Sequence, residues 1–257
     1  MPIEILPLRV FKDNYAYLLI DNTNQHAAVI DPGSAGPIIH TLNDRNLNLS
    51  NILLTHHHFD HSGGVKELKQ LYPQAEIAIH KEDAHHLPVA CDLQLSENNT
   101  LYFGTRPITI MHLPCHTRGH VAFQIENALF TGDTLFNAGC GKFFEGTTSE
   151  MLNNLQRLKT LPETTKIYCG HEYTVENLEY AHQADPDNQN VNNRLKTSQI
   201  AAAENSFLVP TTLKLELRTN PFLQLDNKEL QQQLKTDNET DTLTALYQIY
   251  YGETPSP

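Results

Sequence analysis

Seven histidines and aspartates in this chain are candidates for gripping a cation, and four of them fall within six residues. The run His56-His57-His58-Phe59-Asp60-His61 reads H-x-H-x-D-H and leads directly into Ser62-Gly63-Gly64. His116, Asp133 and His171 stand singly, each in a Gly-rich turn that follows an apolar run. Imidazole and carboxylate together suit zinc, iron or manganese. So many donors are enough for two ions, and paired ions are a device for hydrolysis. In an extended segment, residues two apart share a side. His56 and His58 therefore converge while His57 points away. Asp60 and His61 follow where the chain turns at Gly63-Gly64, which swings them toward a neighbouring ion. A surface histidine tract is the bland alternative, and a mid-chain position between a strand and an amphipathic helix speaks against it.

The single residues leave more open. In His112-Leu113-Pro114-Cys115-His116-Thr117-Arg118-Gly119-His120, three histidines compete. His112 ends a strand, His120 enters the next one as a supporting or packing residue, and His116 lies in the turn, free to point into a cleft. Asp133 either caps a turn or bridges two cations with one oxygen to each. His171, between Gly170 and Glu172, is either a satisfied buried histidine or a ligand at a strand end. Cys91, Cys115, Cys140 and Cys169 are widely spaced, with no C-x-x-C pattern. They read as reduced packing residues, three of them (Cys115, Cys140 and Cys169) near the candidate ligands, not as disulfides or ligands.

The elements that must carry these residues are short. Candidate strands are Ile3–Leu6, Ala16–Ile20, Ala27–Ile30, Ile52–Leu54, Ile77–Ile79, Ile108–Met111, Val121–Ile125, Ala128–Phe130 and Lys166–Cys169. Helical patterns cover Pro37–Asn46, Gly64–Leu71 and Ser149–Leu158, the last with Ser149 placed as its cap. Strands with intervening helices predict stacked sheets covered by helices on their outer faces. After His171 the texture changes: Thr174–Ala184, Asn188–Ala203 and two segments within Leu230–Tyr250 read as helix, and strand signals nearly vanish. A boundary near 172 divides a front domain, 1–172, from a smaller helical domain, 173–257.

At 257 residues and 39% hydrophobic content the chain can bury a proper core. A net charge of −12 argues against nucleic acid or a membrane surface as partner. No apolar run approaches the ~20 residues of a membrane span. Met1-Pro2-Ile3-Glu4 carries an early acid and no basic leader. A cytoplasmic protein, free of membrane and nucleic acid, is expected.

The H-x-H-x-D-H run resembles the metallo-β-lactamase superfamily. Thr131–Phe136, the block Ala138-Gly139-Cys140-Gly141-Lys142-Phe143-Phe144, then Gly170-His171-Glu172-Tyr173-Thr174 and Asn220-Pro221-Phe222-Leu223 narrow the resemblance to the glyoxalase II, or hydroxyacylglutathione hydrolase, family. It runs from Asp13-Asn14-Tyr15 to the C-terminal helices. The resemblance implies an α/β fold, an αββα sandwich with a helical C-terminal domain over the active-site mouth. It assigns His56, His58 and His116 to one divalent ion, Asp60, His61 and His171 to a second, and Asp133 to both, and so prefers His116 to His120. Zinc is the first expectation, with iron or manganese as alternatives.

The implied activity is hydrolysis of S-D-lactoylglutathione to glutathione and D-lactate by a hydroxide shared between the ions. Asp60 and Asp133 orient that nucleophile and lower the charge of the site. Lys142, Tyr173 and basic residues of the C-terminal domain would hold the glutathione moiety of a small-molecule substrate, in a monomer. The chain departs from the family pattern twice. Phe144 stands where Tyr is frequent, and Gln224 follows Leu223 where Arg is common, with Lys228 as a nearby substitute. The rival readings are a persulfide dioxygenase-like mononuclear iron oxidoreductase of the same fold and a lactonase or β-lactamase. Non-enzymatic metal binding fits poorly, since structural zinc sites close with four ligands.

Overall fold

A computed structural model describes residues 3–97 and 99–256. The Met1-Pro2 start weighed above as a leader, and Pro257, lie outside the described residues. The chain forms two compact units, one of residues 3–112 with 117–132 and the other of residues 113–116 with 133–256.

The first unit builds a sheet from β1 (Glu4–Val10), β2 (Asn14–Asp21), β3 (His26–Ile30), β4 (Asn48–Leu53), β5 (Glu76–His80) and β6 (Leu93–Leu95), in that order. β1, β2 and β3 pair antiparallel, whereas β3, β4, β5 and β6 run parallel. Strands buried on both faces need continuous apolar sequence, as β2 has. Ala16, Leu18 and Ile20 join one core with Ile38 and Leu42 of α1 (Ala35–Asp44). Val65 and Leu68 of α3 (Val65–Leu71), which follows the short α2 (Phe59–Ser62), belong to the same core. On the opposite face, Tyr17 meets Phe130 at 5.3 Å between ring centres. Phe130 lies in β10 (Ala128–Gly132), which with β7 (Thr100–Phe103), β8 (Arg106–His112) and β9 (Val121–Ile125) forms an antiparallel run ordered β7-β8-β9-β10.

A register shift between Ala27 and Ala28 inserts Ser50 as an extra residue in β4. A one-residue shift exchanges the two faces of a strand. Here it lets Leu49 and Ile52, three apart, share one core and sets the phase of the strand that delivers His56. The parallel register Ile30↔Leu53↔Ala78 brings the C-terminal ends of β3, β4 and β5 to one edge. The segments that carry the chemistry leave the sheet there.

The second unit contains the hairpin β11 (Leu135–Phe136) and β12 (Gly139–Cys140), then α4 (Thr148–Lys159) and β13 (Lys166–Cys169). After these come α5 (Thr174–Ala184), α6 (Gln189–Ala203), β14 (Thr211–Thr212), α7 (Leu213–Thr219), α8 (Lys228–Leu234) and α9 (Glu239–Tyr251). Thr147, not Ser149, caps α4. Its Oγ1 accepts from Glu150 N at 3.2 Å, and Glu150 returns a carboxylate to Thr147 N at 3.0 Å, a reciprocal capping box. The expected split near Asp237-Asn238 is present: Lys235 ends α8 in a left-handed conformation and Asn238 caps α9. Helix α7 and strands β6 and β7 have patterns too short to read from the sequence.

Candidate metal centre

In the first unit the donors are oriented by the ends of three parallel strands. Asp31, just past β3, takes Thr55 N at 2.8 Å on Oδ1 and Thr55 Oγ1 at 2.6 Å on Oδ2. The Thr55 proton is thereby committed, so Oγ1 accepts from His56 Nδ1 at 3.0 Å. His56 Nε2 keeps its lone pair and faces His58 Nδ1 at 3.1 Å. Asp31 Oδ2 also accepts from His61 Nδ1 at 3.0 Å, which leaves the second ring nitrogen of His61 as the donor. The His56 and His61 rings lie 4.2 Å apart. Asp31, His56 and His61 could by proximity pass for a ligand trio of their own. Both Asp31 oxygens are already engaged, so we read it as the carboxylate that aims the rings.

Asp60 is gripped by Asn14, whose Nδ2 donates to Oδ2 at 2.8 Å and to the Asp60 carbonyl at 3.3 Å. A Cβ on Gly33 would fall 1.9 Å from that same carbonyl, so the Asp31-Pro32-Gly33 turn approaches only because Gly33 has none. His57 turns away, with Nδ1 2.9 Å from Asp83 Oδ2. Asp83 follows β5 and also accepts from His57 N, Thr117 Oγ1 and Gly119 N at 2.7–3.0 Å. Burial alone would raise its pKa, but the bonds from His57, Thr117 and Gly119 prevail and hold it down at about 2. His120 stacks behind His56 at 5.1 Å as a supporting ring, and His112 stacks on His80 at 4.1 Å.

In the second unit the donors come from separate segments. His116 Nδ1 donates to the Lys142 carbonyl at 2.9 Å, so its Nε2 carries the lone pair. That Nε2 lies 3.4 Å from Asp133 Oδ2, and His171 Nε2 lies 3.3 Å from the same oxygen. One carboxylate oxygen thus stands between two imidazoles, all three residues at least nine-tenths buried. A Cβ on Gly141 would sit 1.8 Å from the Asp133 carbonyl, so glycine alone lets this loop cross.

The loop Phe136–Phe143 is held by its backbone. Asn220 Nδ2 donates to the Phe136 and Gly139 carbonyls at 3.1 and 3.0 Å, and Asn177 Nδ2 to the Asn137 carbonyl at 3.0 Å. Ala138 N donates to Glu216 Oε2 at 2.8 Å, while Glu216 Oε1 pairs with Arg194 at 2.6 Å. Tyr250 and Tyr251 donate to the Ala138 and Cys140 carbonyls, and Phe143 N donates to Tyr247 Oη at 3.3 Å. Burial holds Cys140 and Cys169 as thiols, the latter pushed up to about 12. That suits packing, not ligation.

The residues expected to meet substrate divide. Tyr173 lies flat on His171, 4.7 Å between ring centres at 8°. Phe144, 62% exposed, meets the His116 ring at 5.1 Å. Lys142 supplies the carbonyl that orients His116. Lys228, at the start of α8, donates to Gln231 Oε1 at 2.8 Å. Asn14, Asp31, Thr55 and Asp83 were not picked out as site residues from the sequence. The available signal was positional: acids just beyond the C-terminal ends of parallel strands lie beside the histidine strand. Asp31-Pro32-Gly33-Ser34 instead read as turn chemistry.

Residues 11–171 match the model of the metallo-β-lactamase superfamily, and residues 172–249 that of the hydroxyacylglutathione hydrolase C-terminus. A hydroxyacylglutathione hydrolase of Pelagibacter ubique is 43% identical over 228 residues, 88% of this chain and 95% of that one. A cytoplasmic hydroxyacylglutathione hydrolase of Arabidopsis thaliana is 38% identical over 248 residues, 93% and 95% of the two chains. Among solved structures, ETHE1 from Myxococcus xanthus shares the fold at a TM-score of 0.70 and 21% identity, covering 100% of this chain and 93% of that one. TTHA1623, in a di-iron-bound form, gives 0.62 and 26%, covering 86% and 100%. The α/β fold with its C-terminal helical region and the His/Asp donor set are those of a divalent-metal site. The chain belongs to the hydroxyacylglutathione hydrolase family of the metallo-β-lactamase superfamily.

Proposed function

We propose that this chain hydrolyses S-(2-hydroxyacyl)glutathione, S-D-lactoylglutathione foremost, to glutathione and D-lactate, the second step of methylglyoxal detoxification. The observation that carries the reading is the Asp133 oxygen set between His116 and His171 beneath the Ala138–Phe144 block. Residues 1–172 are the catalytic part and 173–257 the substrate-binding part, in line with the spans of the two family models.

The donors fit divalent cations. His56, His61 and His116 each have Nδ1 bonded to an acceptor, leaving Nε2 for a cation. His56, His58 and His116 would hold one ion and Asp60, His61 and His171 another, and Asp133, whose oxygen lies between His116 and His171, would serve both. Zinc is our first assignment; the di-iron form of TTHA1623 supports iron as the alternative. Bound there, such ions would supply Lewis acidity, which polarises a carbonyl and acidifies water.

The chain's own groups do the rest. Asn14 fixes Asp60, and Asp133 stands with one oxygen between the two imidazoles, so both carboxylates would offset cationic charge. Lys142 offers an ammonium to a glutathione carboxylate, while Tyr173 and Phe144 offer ring surface beside His171 and His116. No side chain need protonate the leaving group, since a thiol of pKa about 8.5 leaves readily as thiolate. An amide would demand a proton donor. The cytoplasmic Arabidopsis relative supports a cytoplasmic setting, and among the described residues no helix is long and apolar enough to cross a membrane. We assign a monomer.

Likeness to ETHE1 at 21% identity speaks for the fold alone and favours no second activity. The test is steady-state hydrolysis of S-D-lactoylglutathione with metal content and oxygen uptake measured on the same sample. Two equivalents of metal with thioester turnover and no oxygen uptake is the expected result. One iron with oxygen consumed and no thioester turnover would overturn the reading.

A further inference from the structure

We infer that Glu253 is a built-in competitor for Lys142 and sets how tightly anionic thioesters are held. The inference rests on the reading above, in which Lys142 receives the glutathione end of the substrate. Lys142 Nζ lies 2.9 Å from Glu253 Oε1 and 5.2 Å above the Tyr251 ring. Tyr251 is itself anchored by its hydroxyl to the Cys140 carbonyl, so the ammonium rests on a fixed aromatic face.

Glu253 is not on a loose end. Gly252 closes α9 at φ +69°, with its N–H on the Gln248 carbonyl at 2.9 Å. Gln248 Nε2 donates to Thr254 Oγ1 at 2.9 Å, and Pro255 is buried. The Ser256 carbonyl accepts from both Thr148 N and Thr148 Oγ1 at 2.9 Å, at the start of α4. The segment is therefore pinned on either side of residue 253 by bonds that do not involve its side chain, and it presents that carboxylate to Lys142. A substrate carboxylate arriving at the same ammonium meets a cation already neutralised and a like charge beside it. Both partners are partly exposed, 36% and 54% at the side chain, so exchange is open to solvent. The strength of such a pair is modest. It tunes affinity without blocking the site.

The test compares wild type, Glu253→Gln, Lys142→Ala and the double variant, using S-D-lactoylglutathione kinetics and calorimetric binding of S-methylglutathione, which is not hydrolysed. Glu253→Gln should lower both the KM and the Kd by about two- to fivefold and leave kcat unchanged. The gain should shrink at high salt, vanish on a Lys142→Ala background, and be absent for a neutral N-acetylcysteamine thioester. Unchanged KM and Kd, or an equal gain without Lys142, would overturn the inference. Absence of lactoylglutathione turnover in wild type would sink the proposed reaction alone, because the Kd comparison still decides whether Glu253 competes for Lys142.

Discussion

The two units hold their donors by opposite means. In the first, four donors within six residues leave one strand; Asp31, which aims His61, and Asp83, which holds His57 away, follow the neighbouring parallel strands. In the second, His116, Asp133 and His171 come from segments far apart in sequence; the Lys142 carbonyl orients His116, within a loop whose backbone is held by Asn177 of α5, Asn220 just after α7 and Tyr250 of α9. The first arrangement depends on strand register. The second depends on a buried polar network whose every partner must be present.

The largest expected effect falls on one proposed ligand from each unit. His58→Ala and Asp133→Ala should each lose bound metal and fall below about a thousandth of wild-type turnover, a loss of ~4 kcal/mol in transition-state stabilisation. Metal analysis beside the assay decides it, and full turnover in either metal-free variant would refute the proposed chemistry. Next comes the network of the second unit. Glu216→Gln leaves Arg194 buried beside a neutral partner and should cost about 3 kcal/mol of stability, read as a shifted urea midpoint. A stability unchanged within error would mean that the pair does not support the loop.

Acid should distinguish the units further. Burial and the neighbouring His112 push the His80 pKa down to about 4 from the ordinary 6.5. Between those values the unfolded chain binds more protons than the folded one, so stability present above pH 6.5 is lost as the pH falls toward 4. The contribution is roughly 2–3 kcal/mol. Urea unfolding of metal-free protein across that window should show the decline, and His80→Gln should flatten it. The smallest effect concerns aim rather than ligation. Asp31→Asn should weaken metal binding about 10- to 100-fold with little change in the fold, as measured by competition with a chelator.

What could be read from the sequence follows the same contrast. H-x-H-x-D-H is dense, and the alternation of an extended chain explains why His57 is diverted to Asp83. The helices after residue 172 and the division of the 230–250 region were also legible, because each has an apolar period and polar punctuation. Asp31 was not, since an acid in a D-P-G turn looks the same whether it caps the turn or aims His61. Most hooks on the 136–143 carbonyls left no trace as such either: a carbonyl oxygen is common to every residue, so its partners Tyr250 and Tyr251 look like ordinary helix residues, and Asn220 stood out only as part of a family block. Lys228 was legible only by its neighbourhood. A lysine near the right motif drew attention, and its ammonium donates to Gln231.

Tyr250 and Ala138 are joined across 112 positions of chain, and Tyr251 and Cys140 across 111. During synthesis His116 and Asp133 therefore emerge long before the tyrosines that brace the loop above them. Until α9 has left the ribosome, the Ala138 and Cys140 carbonyls lack those partners.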